Sequence, residues 1–214
     1  MKKLLILAIA ILFLCAISAT FAGDGKRIKD TFPELPYTAF TMPDKTMFYN
    51  LQGGIGMSEA YHITQVFAVM EGIGSKKLVL ILNSPGGNVF DGLAVASIIN
   101  EKSKQGIEIE VRGYGIIASA ATLVFVSGTK GKRFMHEDAL FMVHSIGTFK
   151  FFEFSDLVKD EKELAVKKLI QSKLNAFVAR MTGMKVEDLN KLIMQETWIT
   201  APEAVRLGFA DKTI

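Results

Sequence analysis

Lys77-Leu-Val-Leu-Ile-Leu82, continued directly by Asn83-Ser-Pro-Gly-Gly87-Asn88, is the stretch from which the fold is read. A short unbroken apolar run that stops at a Pro-Gly-Gly breaker has the length of a buried strand rather than a helix. Working outward, Met47 to Leu51 reads as a strand and Ser58 to Met70 as a helix. Downstream come a helix from about Val89 to Asn100, a strand over Ile107 to Val111 and a small-residue helix from about Ser119 to Val126. Short strands follow near Lys132 to Phe134 and Ala139 to His144. Ser155 to Met181 is the longest helical candidate, with Val166, Leu169, Ile170, Leu174, Phe177, Val178 and Met181 at three- and four-residue steps, and Thr182-Gly183 ends it. A helix from Val186 to Ile193 follows, and Thr200-Ala-Pro-Glu203 reads as a capping box opening a last helix to Leu207. Strand and helix alternate throughout, so the expected class is α/β. Phe149-Lys-Phe-Phe-Glu-Phe154 reads as core or subunit-contact aromatics on a strand, because four Phe in six residues are too apolar to leave in water.

The 214 residues are 50% hydrophobic and 22% charged, with a mean hydropathy of +0.29, which excludes a disordered segment. Twenty-five basic against 22 acidic side chains leave a net charge of +3 and no long run of one sign, so charge predicts neither nucleic-acid nor anionic-membrane binding. The chain opens with Lys2 and Lys3, an apolar stretch from Leu4 to Ile17, and small residues up to Ala22. This is the pattern of a secretory signal over residues 1–22, with cleavage after Ala22 or Ala19; the competing reading is an uncleaved anchor, since Leu4 to Ala22 nearly matches the length a membrane helix needs. Export to the periplasm or outside the cell, or attachment to the membrane, is therefore expected. Cys15 is the single cysteine and lies inside that leader, so a processed chain has no thiol for a nucleophile, disulfide or metal site. Residues 23–45 carry Pro33, Pro36 and Pro43 and read as an extended arm, leaving 46–214 as one domain.

Three segments have chemical potential. The paired glycines of Asn83-Ser-Pro-Gly-Gly-Asn88, between a strand and a helix start, can present N–H groups to an oxyanion, although Pro-Gly-Gly also makes ordinary turns. In Gly113-Tyr-Gly-Ile-Ile-Ala-Ser119-Ala, a serine among small residues at a helix start can expose its hydroxyl beside the Ala120 N–H. The bland alternative makes Ser119 a helix N-cap. His144 ends an apolar strand, where a lone histidine is more often structural than a base. His62 and His136 have no partner suggested by the sequence.

The order and spacing of these pieces resembles one family. Asn83-Ser-Pro-Gly-Gly, Ala118-Ser119, Gly131-Lys-Arg-Phe134, Met142-Val-His144 placed 25 residues after the serine, Trp198-Ile-Thr-Ala-Pro-Glu-Ala204 and Leu207-Gly-Phe-Ala-Asp211 together look like the Clp protease proteolytic subunit family. The likeness runs from about Met47 to the C-terminus. It implies a ClpP/crotonase-like ββα spiral core with an outer helical handle, and a serine peptidase assembled into rings. It also implies that Ser119 is the nucleophile, His144 the general base, and Gly87 and Ala120 the backbone donors of the oxyanion hole. Glu196 stands where the family has an aspartate as third triad member. No metal or organic cofactor is implied.

Two departures accompany the resemblance. Glutamate is one methylene longer than aspartate, and the glycine-rich strand expected after His144 is replaced by Gly147 and the Phe-rich segment. An exported enzyme also has no ATP supply, so an ATPase partner is not expected; the expected substrate is a peptide or unfolded protein. The competing readings are a catalytically degenerate scaffold or binding protein that keeps the fold, a signal-peptide-peptidase-like Ser/Lys membrane protease using Lys130, Lys132, Lys167 or Lys168, and an acyl-CoA enzyme of the crotonase type.

Overall fold

The computed structural model describes residues 35, 36, 38–147 and 159–214, with side chains in all of these except 159–163. The leader over residues 1–22, most of the arm and the Phe149–Phe154 segment lie outside the described residues. Among the described residues, no helix is long and apolar enough to cross a membrane.

The apolar runs form one sheet. Strands β1 (Ala39–Thr41), β2 (Met47–Gln52), β3 (Lys77–Ser84), β4 (Glu108–Ala118), β5 (Arg133–Met135) and β8 (Lys212–Thr213) lie side by side in the order β1-β2-β3-β4-β5-β8. The pairs from β2 through β8 are parallel, which requires the helical crossovers that the alternating sequence provided. Helices α1 (Met57–Ile73), α2 (Val89–Lys104), α3 (Ala120–Val126), α4 (Lys159–Thr182), α5 (Val186–Met194) and α6 (Ala201–Arg206) complete the domain. Leu78, Leu80 and Leu82 of β3 are fully buried and join Met47, Tyr49 and Leu51 of β2 in a single hydrophobic core.

Strand β4 is the element that positions the site. Its first half pairs with β5 through Val111–Gly113, and its second half, Ile116–Ala118, pairs instead with β6 (Leu140–Val143). Between them the register against β3 slips from Leu82–Gly113 to Ser84–Ile117. The slip occurs at Gly115, which has φ +58° and where a Cβ would come within 2.7 Å of Asn83 Oδ1. That oxygen accepts the Ile116 N–H at 3.1 Å. The bulge redirects the strand end, so that Ser119 emerges between β3 and β6. Strand β6 carries a further antiparallel neighbour, β7 (Thr197–Thr200).

Several expectations need correction. The arm over 23–45 is not linker to its end: Ala39–Thr41 pairs antiparallel with Met47–Tyr49 as an edge strand. Pro43 sits in the connecting turn, which is closed by Met42 and Thr46, with Lys45 at φ 67° and the Asp44 carboxylate accepting from Thr46. The strand expected over 107–111 continues to Ala118, because glycines tolerated at a bulge read as a break in the sequence. Thr200 makes no side-chain capping bond to α6, so the expected capping box is not formed. Of the apolar stripe on α4, Leu174, Phe177 and Val178 are buried, whereas Val166 and Leu169 are exposed together with Leu164. The N-terminal half of that helix has extended past the core.

Candidate active site

Ser119 sits at the junction of β4 and α3 with φ 55° and ψ −124°, a conformation sparsely populated by non-glycine residues. It is held there on both sides. Its N–H donates to Met142 O of β6 at 3.0 Å, and its carbonyl accepts from Thr122 Oγ1 at 2.7 Å and from the Thr122 N–H at 3.0 Å. The side chain does not cap α3; instead its Oγ stands 2.7 Å from His144 Nε2. Residues 25 positions apart are joined because β4 and β6 are parallel neighbours that both end at this edge.

The glycine turn closes the other side. A Cβ on Gly86 would lie 2.7 Å from the Ser119 Cβ and 2.9 Å from the Ala120 nitrogen, so the turn packs onto the serine only because that atom is missing. At Gly87, φ is +153° and a Cβ would meet Ile55 O at 2.2 Å. Gly86 O accepts the Ile55 N–H at 2.8 Å, and Ile55 O accepts the Asn88 N–H at 2.9 Å, fixing the turn as a bridge to the segment after β2. Asn88 then caps α2 through Oδ1 to Phe90 N at 2.9 Å and Asp91 N at 3.2 Å. Gly87 and Ala120 line the same cavity as Ser119 and His144. Ala120 is the first residue of α3, where an N–H has no intrahelical acceptor.

That cavity holds about 210 Å³. Its walls are mostly apolar, with Val89, Leu123, Leu174, Val178, Leu189 and Ile193, and its floor adds the amides of Gln171 and Asn175. No lysine is among the lining residues, and Lys132, one of the lysines singled out in the sequence, is engaged 3.1 Å from Glu108. Among the described residues, no group of His, Cys, Asp and Glu has the arrangement of a metal site.

Glu196 is brought to the edge of this site but not into it. The β6–β7 register pairs Met142 with Trp198 and Val143 with Thr197, so the next rung sets His144 opposite Glu196. The pairing ends there, however. Glu196 has φ 48°, is exposed, and makes no hydrogen bond or ion pair with His144. The side-chain amides of Gln171, Asn175 and Asn190 were not singled out from the sequence, because carboxamides on two separate helices carry no spacing signal.

An α/β domain that holds a serine at a strained strand-to-helix corner, its hydroxyl against an imidazole and its backbone beside a glycine turn, has the form of a serine hydrolase. The Clp protease family model matches residues 38–214, and the chain belongs to this family of serine-type peptidases. The "ATP-dependent Clp protease proteolytic subunit" of Streptococcus mutans is 30% identical over 142 residues, 64% of this chain and 68% of that protein. Its counterpart from Porphyromonas gingivalis is 32% identical over 142 residues, covering 65% and 60%. The "subunit 2" protein of Prochlorococcus marinus is 33% identical over 141 residues, covering 65% and 66%. The matched stretch thus spans 60% to 68% of these relatives. Among solved structures, a single-residue mutant of ClpP1 from Listeria monocytogenes superposes with a TM-score of 0.69 and 22% identity over 78% of this chain and 90% of that one, a likeness of fold.

Proposed function

We propose that the protein is a serine endopeptidase that cleaves peptides or unfolded proteins outside the cytoplasm without an ATPase. The observation that carries the reading is the 2.7 Å contact between Ser119 Oγ and His144 Nε2 at a strained corner flanked by Gly87 and Ala120. In the proposed mechanism, Ser119 Oγ attacks the peptide carbonyl while His144 takes its proton. The N–H groups of Gly87 and Ala120 hold the oxyanion. His144 then protonates the leaving amine, and water, activated by the same imidazole, hydrolyses the acyl-enzyme. Glu196 is the proposed third member, its side chain turning from solvent onto His144 Nδ1 to hold the imidazolium. Support for that role is positional, from the register that places it across from His144.

The export part of this reading rests on the leader pattern over residues 1–22, and the absence of an ATPase partner follows from export. Ring assembly is proposed from family membership. The test is labelling of the purified protein with a fluorophosphonate, followed by peptide mapping. A single adduct on Ser119, lost in Ser119→Ala together with at least a ~10³-fold fall in peptide cleavage, is expected. A folded wild-type protein that never labels would falsify the reading.

One observation favours a second reading, a degenerate member that keeps the fold without hydrolysis: the Glu196 carboxylate stands in solvent, unbonded to His144. Under that reading, Glu196→Asp switches on peptide cleavage from an undetectable level.

A further inference from the structure

A line of three carboxamides begins at Gln171 and Asn175, which line the Ser119 cavity, and runs on to Asn190 outside it. The Ile146 N–H donates to Gln171 Oε1 at 2.8 Å, Gln171 Nε2 donates to Asn175 Oδ1 at 2.7 Å, and Asn175 Nδ2 donates to Asn190 Oδ1 at 2.5 Å. The direction of this line is set by its first member. A backbone N–H can only donate, so Gln171 must turn its oxygen to Ile146, which leaves its NH₂ for Asn175 and in turn the Asn175 NH₂ for Asn190. Asn175 is 6% exposed, which makes its two bonds costly to lose. Asn190, by contrast, reaches the surface on α5.

The relay acts on the segment that carries the histidine. Sheet pairing of β6 stops at Val143, and residues 144–147 belong to no strand or helix. The next fixed point of the main chain is the Ile146 N–H on Gln171. His144 is therefore suspended between two anchors, Val143 in the sheet and Ile146 on α4, and its ring orientation toward Ser119 depends on both.

We propose that Gln171 is a positioning residue that holds the His144 imidazole on the Ser119 hydroxyl through the Ile146 backbone, with Asn175 and Asn190 fixing the orientation of its amide. The proposal rests on the serine-peptidase reading for its kinetic consequence, not for its structural one. Two substitutions separate the bond from the bulk of the side chain. Gln171→Leu fills similar space and cannot accept from Ile146. Gln171→Glu still accepts, provided that the Asn175 and Asn190 amides turn over.

The experiment measures the pH dependence of Ser119 acylation by a fluorophosphonate and the NMR signals of the His144 ring in each variant. In Gln171→Leu, acylation slows about 10-fold or more, the midpoint of its pH profile moves and the His144 ring signals shift, while Gln171→Glu returns the rate to within about threefold of wild type. A Gln171→Leu protein that acylates within twofold of wild type with an unmoved midpoint overturns the proposal, as does a Gln171→Glu protein as slow as Gln171→Leu. If Gln171→Leu does not fold, Asn190→Ala cuts the relay at its exposed end and replaces it. A two- to fivefold slower acylation then supports the proposal, and an unchanged rate and midpoint overturn it. Should the wild type prove unreactive, the peptidase reading fails by itself. The His144 ring signals need no activity, and their insensitivity to Gln171→Leu would still refute the positioning role.

Discussion

Ser119 keeps φ at 55° although serine has a side chain that disfavours it, and such conformations cost of the order of 1–3 kcal/mol. The cost is offset by the bonds to Met142 O and Thr122, and the gain is a hydroxyl aimed away from its helix and at His144. Glu196, at φ 48°, is the other non-glycine residue with positive φ beside the site. Its left-handed backbone ends the β6–β7 pairing where an extended one would have continued it past His144. If Glu196 turns inward to orient the imidazolium, Glu196→Gln lowers kcat/KM for a peptide substrate by about 10²- to 10⁴-fold at neutral pH, as when a triad acid is neutralised. Steady-state rates unchanged by Glu196→Gln would mean that Ser119 and His144 work as a dyad. The serine, the histidine and the glycine turn were legible in the sequence as candidates because their order and spacing match those of a family. The solvent-facing pose of the glutamate was not, because a backbone dihedral has no local sequence signature.

At the scale of elements, the β5–β8 edge of the sheet is fastened by an ionic clasp. Arg133 of β5, almost wholly buried, donates from Nε to Asp211 Oδ2 at 2.8 Å and from its NH2 group to Oδ1 at 2.5 Å. Its NH1 group reaches Met181 O of α4 at 3.2 Å, and the Asp211 carboxylate also accepts the Gly131 and Arg133 backbone N–H groups. Burial pushes the Asp211 carboxyl up, but the Arg133 side chain and the two backbone donors outweigh it and hold it below its usual value of 3.8. A carboxylate with a depressed folded-state pKa stabilises the fold above its unfolded value and loses that contribution as pH falls through the folded one. Thermal melts are accordingly expected to lose this contribution only below about pH 4. Asp211→Ala leaves a buried guanidinium unpaired, which costs about 3–5 kcal/mol, and lowers the melting temperature by about 10 °C or more. The same substitution removes the acid-range dependence it causes; a variant melting within 2 °C of wild type would contradict the account.

For the whole molecule, the exposed apolar residues Leu164, Val166 and Leu169 lie close together on the N-terminal half of α4, a grouping that suits a contact surface. If the protein forms the rings proposed from its family membership, this helix end is covered by another copy. Leu169→Glu then shifts the mass measured by light scattering to a smaller species, while Ser119 labelling per chain need not vanish. Fractionation of the producing cell with intact-mass measurement tests export. The expected product begins at Gly23, or at Thr20 if the cut follows Ala19, and is recovered outside the cytoplasm. A full-length chain in the membrane fraction would instead mean that residues 1–22 stay as an anchor.

The sequence by itself marked most of the strands and helices, because apolar period and breaker residues act over a few positions, but not the short strands Ala39–Thr41, Thr197–Thr200 and Lys212–Thr213. It also supplied the serine, the histidine and the glycine turn through their order along the chain. Only the tertiary structure decided what those residues touch. The edge strand Ala39–Thr41 exists because β2 offers it a free edge, and the bend in β4 exists because the Asn83 side chain occupies the space beside Gly115. Likewise, the amides of Gln171, Asn175 and Asn190 meet only after α4 and α5 pack together. Contacts between distant parts of a chain depend on how whole elements pack, and no short window of residues contains that information.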